Sequence, residues 1–332
     1  MLESAVLLLA TLLAAVLTGL VRSRALQGGI IDVPNERSSH VVPTPRGGGL
    51  AIVLVILLGT ILGFAVGAVT IASAVALFVG GAIVAAVGYW DDRRGLPALP
   101  RFSVHLVASV LVVLLLAPLG NPAEGTLATW AVVVVLVIGT AWSINSFNFM
   151  DGIDGIAASQ ALFVTATSAG LVFLHGDVGL ATMLLISTCA CLGFLLWNWP
   201  PAKIFMGDVG SGFLGFWLAA VALLLHARGV LSLFTSVILG SAFLADATVT
   251  LLRRLVAGKR WYEAHRSHAY QQLARRWKSH AKVVWLLWGL NGLVLAPLAW
   301  AAESVHGAAP AIAAAALLGM AALVLLAGAG KE

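Results

Sequence analysis

Long uncharged runs dominate the chain, and they recur with short polar breaks between them. Apolar runs of 18 or more residues read as membrane-spanning helices, because a hydrocarbon core about 30 Å thick needs roughly 20 residues rising 1.5 Å each. Eleven spans are predicted, at roughly 4–21, 50–68, 71–88, 104–119, 128–144, 155–174, 179–197, 212–227, 230–252, 281–300 and 308–328. Only a short polar segment separates the fifth from the sixth, and the last is rich in Ala and Gly, which weakens its transfer into lipid. The first span is expected to be retained, not cleaved as a signal, since no basic leader precedes it and Arg22 and Arg24 follow it. The predicted fold class is all-α, a polytopic transmembrane helix bundle of about 11 spans, with residues 1–332 forming a single integral membrane domain.

Composition agrees: 61% of the 332 residues are hydrophobic and 10% charged, against about 25% charged in a soluble domain. Charge then orients the bundle. With the N-terminus outside, the inner segments hold 18 of the 19 Lys and Arg residues, nine of them between Arg253 and Lys282, and only Arg228 falls outside. The net charge of +5 is therefore a one-sided basic face, suited to anionic headgroups or phosphorylated substrates and equally expected of plain membrane flanks. Cys189 and Cys191 lie two apart on one span and read as core residues, with no disulfide framework.

Candidate chemistry sits in the inner loops. Of eight aspartates, seven (Asp32, Asp91, Asp92, Asp151, Asp154, Asp208 and Asp246) fall in or beside them, and only Asp177 lies outside. Carboxylates gathered on a cationic face fit a divalent metal bridging to phosphate. Asp91 and Asp92 close the third span, where acidic groups oppose the helix dipole; pairing with Arg93 and Arg94 is the plain alternative. In NSFNFMDGIDGIAAS, Asn145, Asn148, Asp151 and Asp154 recur every third residue, a helical-face spacing that also suits turn and cap residues. In WNWPPAKIFMGDVGSGFLGF, Ser211 is placed to cap the next helix, and the glycines around Asp208 make a turn whose amides could cradle phosphate. The last inner loop carries HRSH, in which His265 and His268 could face an anion, ligate zinc or lie on anionic lipid. The first loop brings Asp32, His40, Arg46 and the run Gly47 to Gly49.

These motifs in this order resemble the polyprenyl-phosphate N-acetylhexosamine-1-phosphate transferases, the family of the O-antigen-initiating enzymes and of the phospho-MurNAc-pentapeptide translocase. The resemblance runs from about residue 32 to 272: Asp32 to Asn35, Pro43 to Gly49, the Asp91–Asp92 pair, Asn148 with Asp151 and Asp154, and the GDVGS turn at Asp208. HRSH in place of a triple histidine, and Arg94 and Gly95 where a Lys is usual, set this chain apart from the pentapeptide translocases and nearer the O-antigen branch.

The resemblance implies a transferase, with its active site on the cytoplasmic face, that moves a sugar 1-phosphate from a UDP-N-acetylhexosamine or deoxy derivative to undecaprenyl phosphate and releases UMP. It implies Mg²⁺, with Mn²⁺ as the alternative, at Asp208 and Asp154 or Asp151, and catalytic roles for Asp91, Asp92, Asp151, Asp154 and Asp208. Asn148, His265, His268, Arg46, Lys203 and Arg266 are the expected substrate-binding set. Expected partners are the UDP-sugar, undecaprenyl phosphate, membrane lipid and a second copy in a homodimer, with no nucleic-acid polymer; the expected location is the bacterial inner membrane. A CDP-alcohol phosphotransferase would need Arg where Ser159 follows DGIAA, and a transporter would carry charge at mid-membrane, where these spans have almost none. Single cysteines at positions 36, 94, 203 and 263 should label from the cytoplasm and those at 124 and 177 from outside; opposite sides for 203 and 263 would break the span count.

Overall fold

The structure, a computed structural model, describes residues 2–34, 42–117, 126–259 and 265–331; Asn35, Arg37, His40 and Arg260 lie outside the described residues. Among the described residues the fold is helical apart from one two-residue antiparallel pairing. The helices are α1 (Leu2–Gln27), α2 (Gly49–Ala65), α3 (Ile71–Arg94), α4 (Ala98–Leu116), α5 (Leu127–Phe149) and α6 (Ile156–Leu174). There follow α7 (Val178–Asn198), α8 (Asp208–Ala227), α9 (Leu233–Val256), the short α10 (Ala269–Trp277), α11 (His280–Ser304) and α12 (Ala309–Ala327). Ten are long and apolar enough to cross a membrane, and α2, at 17 residues, is the shorter eleventh, so the expected bundle is the one found. β1 (Ile31–Asp32) and β2 (Thr44–Pro45) pair Ile31 with Pro45 and Asp32 with Thr44, folding the first inner loop back on itself.

Four helices that start at the end opposite Asp91, Asp92 and Asp208 do so on their own capping side chains: Thr70 for α3, Thr126 for α5, Asp177 for α7 and Ser232 for α9, each accepting a first-turn N–H; α12 starts after Ala308 without one. At the aspartate end, α2, α4, α6 and α8 start after Gly48, Pro97, Gly155 and Gly207, with no capping side chain of their own. The orphan amides there must find partners on other elements.

α8 runs through the centre, with Phe213, Phe216 and Trp217 fully buried. Lipid tails are as apolar as leucine, so helices associate by close packing at small residues. Gly80 and Gly81 of α3 receive the rings of Phe216 and Phe213, and Gly215 of α8 lies against Ser143 and Ile144 of α5. One approach sets the site: a Cβ on Gly88, one turn before Asp91, would stand 2.4 Å from the backbone oxygen of Asp208. The first and fourth inner loops are joined by backbone pairing, Gly48 and Gly49 donating to Phe205 and Met206 oxygens at 2.9 Å each and Phe205 to Pro45 at 2.8 Å.

Gly88→Ala should therefore cost about 1–3 kcal/mol of overpacking, whereas Gly289→Ala on α11, with open space around it, should be neutral or stabilising by up to about 1 kcal/mol through helix propensity. Thermal unfolding of the two purified variants in one detergent reads the difference.

Candidate active site

Asp91 and Asp92 are consecutive on the last turn of α3, so their side chains leave it about 100° apart and reach different helices. Asp92 turns to α8, accepting the N–H of Asp208 at 2.9 Å and of Val209 at 3.1 Å. It thereby caps the α8 N-terminus, where a negative charge is favoured by the dipole, and its Oδ1 also pairs with Arg46. Asp91 turns to α4, accepting the Leu96 N–H and pairing with Arg101. Arg101 also holds Asp208 Oδ2 at 2.9 Å, and Arg46 stands 3.7 Å from Asp208 Oδ1. Two guanidinium groups thus lace three carboxylates from the ends of α3 and α8.

This arrangement corrects two expectations. Ser211 does not cap α8: the helix starts three residues earlier at Asp208, and the Ser211 hydroxyl bonds back to the Gly207 oxygen at 3.2 Å. Nor do the first amides of α8, or those of Gly48 and Gly49, stand open to phosphate. Asp92 takes those of Asp208 and Val209, and the neighbouring loop takes those of Gly48 and Gly49. Gly207, at φ +77°, must be glycine twice over, since a Cβ there would also meet the Asp92 carboxylate at 2.5 Å.

The Asn and Asp series is not carried by one helix, because α5 ends at Phe149. Asn148 donates to Ser211 Oγ at 3.1 Å, facing α8, while Asn145 bonds back to the Ala141 oxygen at 2.7 Å. Asp151, in the turn beyond, has its carboxyl pushed well above the usual range by burial and then by the charges of Asp208 and Asp92. Asp154 looks elsewhere: its Oδ2 accepts the Ala202 N–H at 3.1 Å and lies 3.2 Å from His280 Nδ1.

The histidine loop is anchored from inside α9. Asp246, buried, accepts from Thr250 Oγ1 at 2.9 Å, the amides of Ala269 and Tyr270 at 2.9 and 3.0 Å, and His268 Nδ1 at 3.3 Å. His268 is itself buried, with the His265 ring 4.9 Å away and Phe149 at 6.3 Å. Tyr270 donates its hydroxyl to the Phe149 oxygen at 3.0 Å, tying this loop to the Asn148–Asp151 turn. Burial and the charges of Asp246 and Asp151 push its phenol well above the ordinary value, so it stays a donor.

Beside Asp154 opens a cleft of about 550 Å³ lined by Arg266, Arg275, Lys278 and His280 together with Pro200 and Pro201. Burial and the Arg266 guanidinium both push Arg275 down, a sign that like charges crowd one space. Lys203 is not part of this gathering: it is exposed, its ammonium 5.8 Å from the Trp197 ring centre. The expected residues therefore fall into three groups: the carboxylate network with Arg46, Asn148 and Asp151; the cleft with Asp154 and Arg266; and the His265–His268 loop between Asp246 and Phe149.

Sequence reasoning missed Arg101, His280 and the role of Asp246. Arg101 sits in the first turn of α4, where a cation opposes the dipole, and Asp246 is an ionisable residue within a span; each was a legible signal. His280 had none beyond standing at the foot of α11. Among the described residues no three His, Cys, Asp or Glu side chains form a ready metal cluster; the arginines engage the carboxylates instead.

Residues 74–226 match the model of glycosyl transferase family 4. The chain is 34% identical over 319 residues to the decaprenyl-phosphate N-acetylglucosaminephosphotransferase of Mycobacterium tuberculosis (strain ATCC 25618 / H37Rv), covering 83% of this chain and 77% of that one. It is 29% identical over 280 residues to the probable undecaprenyl-phosphate N-acetylglucosaminyl 1-phosphate transferase of Bacillus subtilis (strain 168), covering 82% and 77%. With the phospho-N-acetylmuramoyl-pentapeptide-transferase of Staphylococcus carnosus (strain TM300) it shares 31% identity over 170 residues, about half of each chain.

Because the folded chain holds the Asp151 proton more tightly than the unfolded one, metal-free protein should gain stability as pH falls through that raised value and lose it as pH rises. Asp151→Asn should then unfold at a higher temperature than the unsubstituted protein in chelator at neutral pH. The gap should close near about pH 4, where the unfolded carboxyl is also protonated.

Proposed function

The chain belongs to glycosyl transferase family 4, and we propose that it transfers a sugar 1-phosphate from a UDP-N-acetylhexosamine or a deoxy derivative to undecaprenyl phosphate. The observation that carries this reading is the Asp91–Arg101–Asp208–Arg46–Asp92 network. The names of the mycobacterial and Bacillus relatives support the polyprenyl phosphate acceptor and the N-acetylglucosamine 1-phosphate group. The HRSH loop, lacking the triple histidine, favours the branch that starts O-antigen or a comparable envelope glycan at the cytoplasmic face of the inner membrane.

In the reaction an oxygen of the lipid phosphate attacks the β-phosphorus of the UDP-sugar. The bond from that phosphorus to the bridging oxygen breaks, and UMP departs with the electron pair, leaving a sugar pyrophosphoryl lipid. A phosphate monoester has its second pKa near about 6, so the nucleophile is largely dianionic at neutral pH and needs little help from a base. The difficulty is bringing anions together, which makes placed positive charge the main requirement.

Asp92 suits a positioning role, since its oxygens are taken by two amides and Arg46, and Asp91 does the same for Arg101. Arg46 and Arg101 supply charge at the acceptor phosphate; Arg266, Arg275 and Lys278 supply it in the donor cleft. His268, held by Asp246, orients the loop between them. An apolar groove of about 320 Å³ between α5, α6, α8 and α9 reaches Ser146 and Phe147, next to Asn148, and accommodates the start of the prenyl chain.

A divalent cation fits by charge. Four carboxyl groups, those of Asp91, Asp92, Asp151 and Asp208, face two guanidinium groups, and burial, followed by the charges of Asp208 and Asp92, raises Asp151. We assign Mg²⁺ to Asp208 with Asp151, where it supplies electrostatic stabilisation of the transferring phosphoryl group.

Purified protein given UDP-N-acetylglucosamine, undecaprenyl phosphate and Mg²⁺ should release UMP, lose activity in chelator and incorporate labelled UMP back into UDP-sugar once product has formed. Asp208→Asn should fall well beyond the roughly tenfold that about 1.4 kcal/mol represents. Release of UDP with sugar on the lipid, or full activity of Asp208→Asn, would overturn the assignment.

A further inference from the structure

We propose that His280 is a positioning residue, holding the Asp154 carboxylate in the orientation that the donor cleft requires; the inference rests on the reading of that cleft as the nucleotide-sugar site. Asp154 lies in the turn between α5 and α6, whose backbone is fixed by a relay into the fourth inner loop. Gly155, at φ +76°, donates to Asn198 Oδ1 at 2.9 Å, and Asn198 Nδ2 donates to the Ile204 oxygen at 2.9 Å. Fixing the backbone leaves the Asp154 side chain free to rotate about its own bonds. Two groups meet Oδ2: the Ala202 N–H at 3.1 Å and, at 3.2 Å, His280 Nδ1, which also stands 3.4 Å from the Asp154 backbone N; with its proton on Nδ1 the ring donates to Oδ2 and sets that rotation. Oδ1 takes no hydrogen bond among the described residues and lies on the same carboxylate that lines the cleft.

His280 is itself well placed to impose this. It is the first residue of α11, held there by the Ser279 cap, whose Oγ accepts the Lys282 N–H at 3.3 Å. Its side chain is 18% exposed and that of Asp154 12%, so the pair lies at the cleft wall, neither in bulk water nor sealed off. Asp154 is the single carboxylate among the residues lining this cleft, beside Arg266, Arg275 and Lys278. Without His280, one backbone amide alone would oppose the pull of those cations on the carboxylate, which would swing into the space that an anionic donor needs. With His280 in place, Oδ1 is presented as an acceptor for N–H or O–H groups of the donor, and the cations remain directed at its diphosphate.

The test compares steady-state kinetics of the full-length protein with His280→Ala, His280→Asn, Asp154→Ala and the Asp154→Ala/His280→Ala pair. His280→Ala should raise KM for UDP-N-acetylglucosamine by about tenfold, leaving KM for undecaprenyl phosphate and the thermal midpoint unchanged. His280→Asn, whose amide N–H can reach Oδ2, should recover most of the loss. The pair should be no worse than Asp154→Ala alone, since histidine acts through the aspartate. Unchanged donor KM in His280→Ala, additive losses in the pair, or an equal rise in both KM values with a lowered thermal midpoint would overturn the inference and leave the proposed function standing. Failure of the unsubstituted protein to release UMP would overturn both.

Discussion

From the last turn of α3 the Asp92 carboxylate does two things at once: it caps α8 and pairs with the arginine of the first inner loop. A helix that begins on glycine at the edge of a membrane carries amides with no partner of their own, and α8 is such a helix. By satisfying two of them from α3, Asp92 fixes Asp208 at the foot of α8 and draws Arg46 in beside it. Gly88 and Gly207 make the approach possible, because a side chain at either would stand inside the contact. The geometry of the candidate site and the packing of the central helix are thus one feature, and neither can change alone.

The same economy recurs around Asp246. A carboxylate inside a span is costly unless it is fully engaged, and here two amides, a hydroxyl and an imidazole engage it. The return on that engagement is the anchoring of His268, Ala269 and Tyr270, with Tyr270 joined to the turn that carries Asp151. Deeper in the bundle, Gln160 of α6 donates to the Leu239 oxygen of α9 and accepts from Asn291 at a π-type turn of α11. This polar link binds α11, which bears His280, to α6 and α9. Elements that carry site residues are therefore tied by buried polar contacts, and the apolar surfaces between them supply close packing.

Burial and uneven charge explain the rest of the site's character. Arg46 and Arg101 each join two carboxylates and keep the network together without balancing it, and Asp151, buried beside Asp208 and Asp92, has a raised affinity for protons. The dication proposed above would relieve that crowding when bound, so a site of this kind gives up stability for preorganised charge.

The spans, the all-helical class and the gathering of aspartates on one side were all readable from the chain, because hydrocarbon thickness and backbone satisfaction leave few choices for apolar runs of this length. Asp91, Asp92, Asn148, Asp151, Asp154 and Asp208 could be named as candidates for the same reason: charge and amide groups beside a membrane stand out against it. Their division of labour could not. Whether Asp208's neighbouring amides face phosphate or Asp92, whether Lys203 joins the site or stacks on Trp197, and whether Asp154 looks to Asp208 or to His280 depend on side-chain directions at helix ends. Arg101 and His280 entered only when α4 and α11 were set beside α3 and the α5–α6 turn. Local sequence determines which segments enter the bilayer, since that is decided residue by residue through transfer energy. Which loops meet is decided by the packing of helices far apart in the chain, and the partners of a charge are a property of that packing alone.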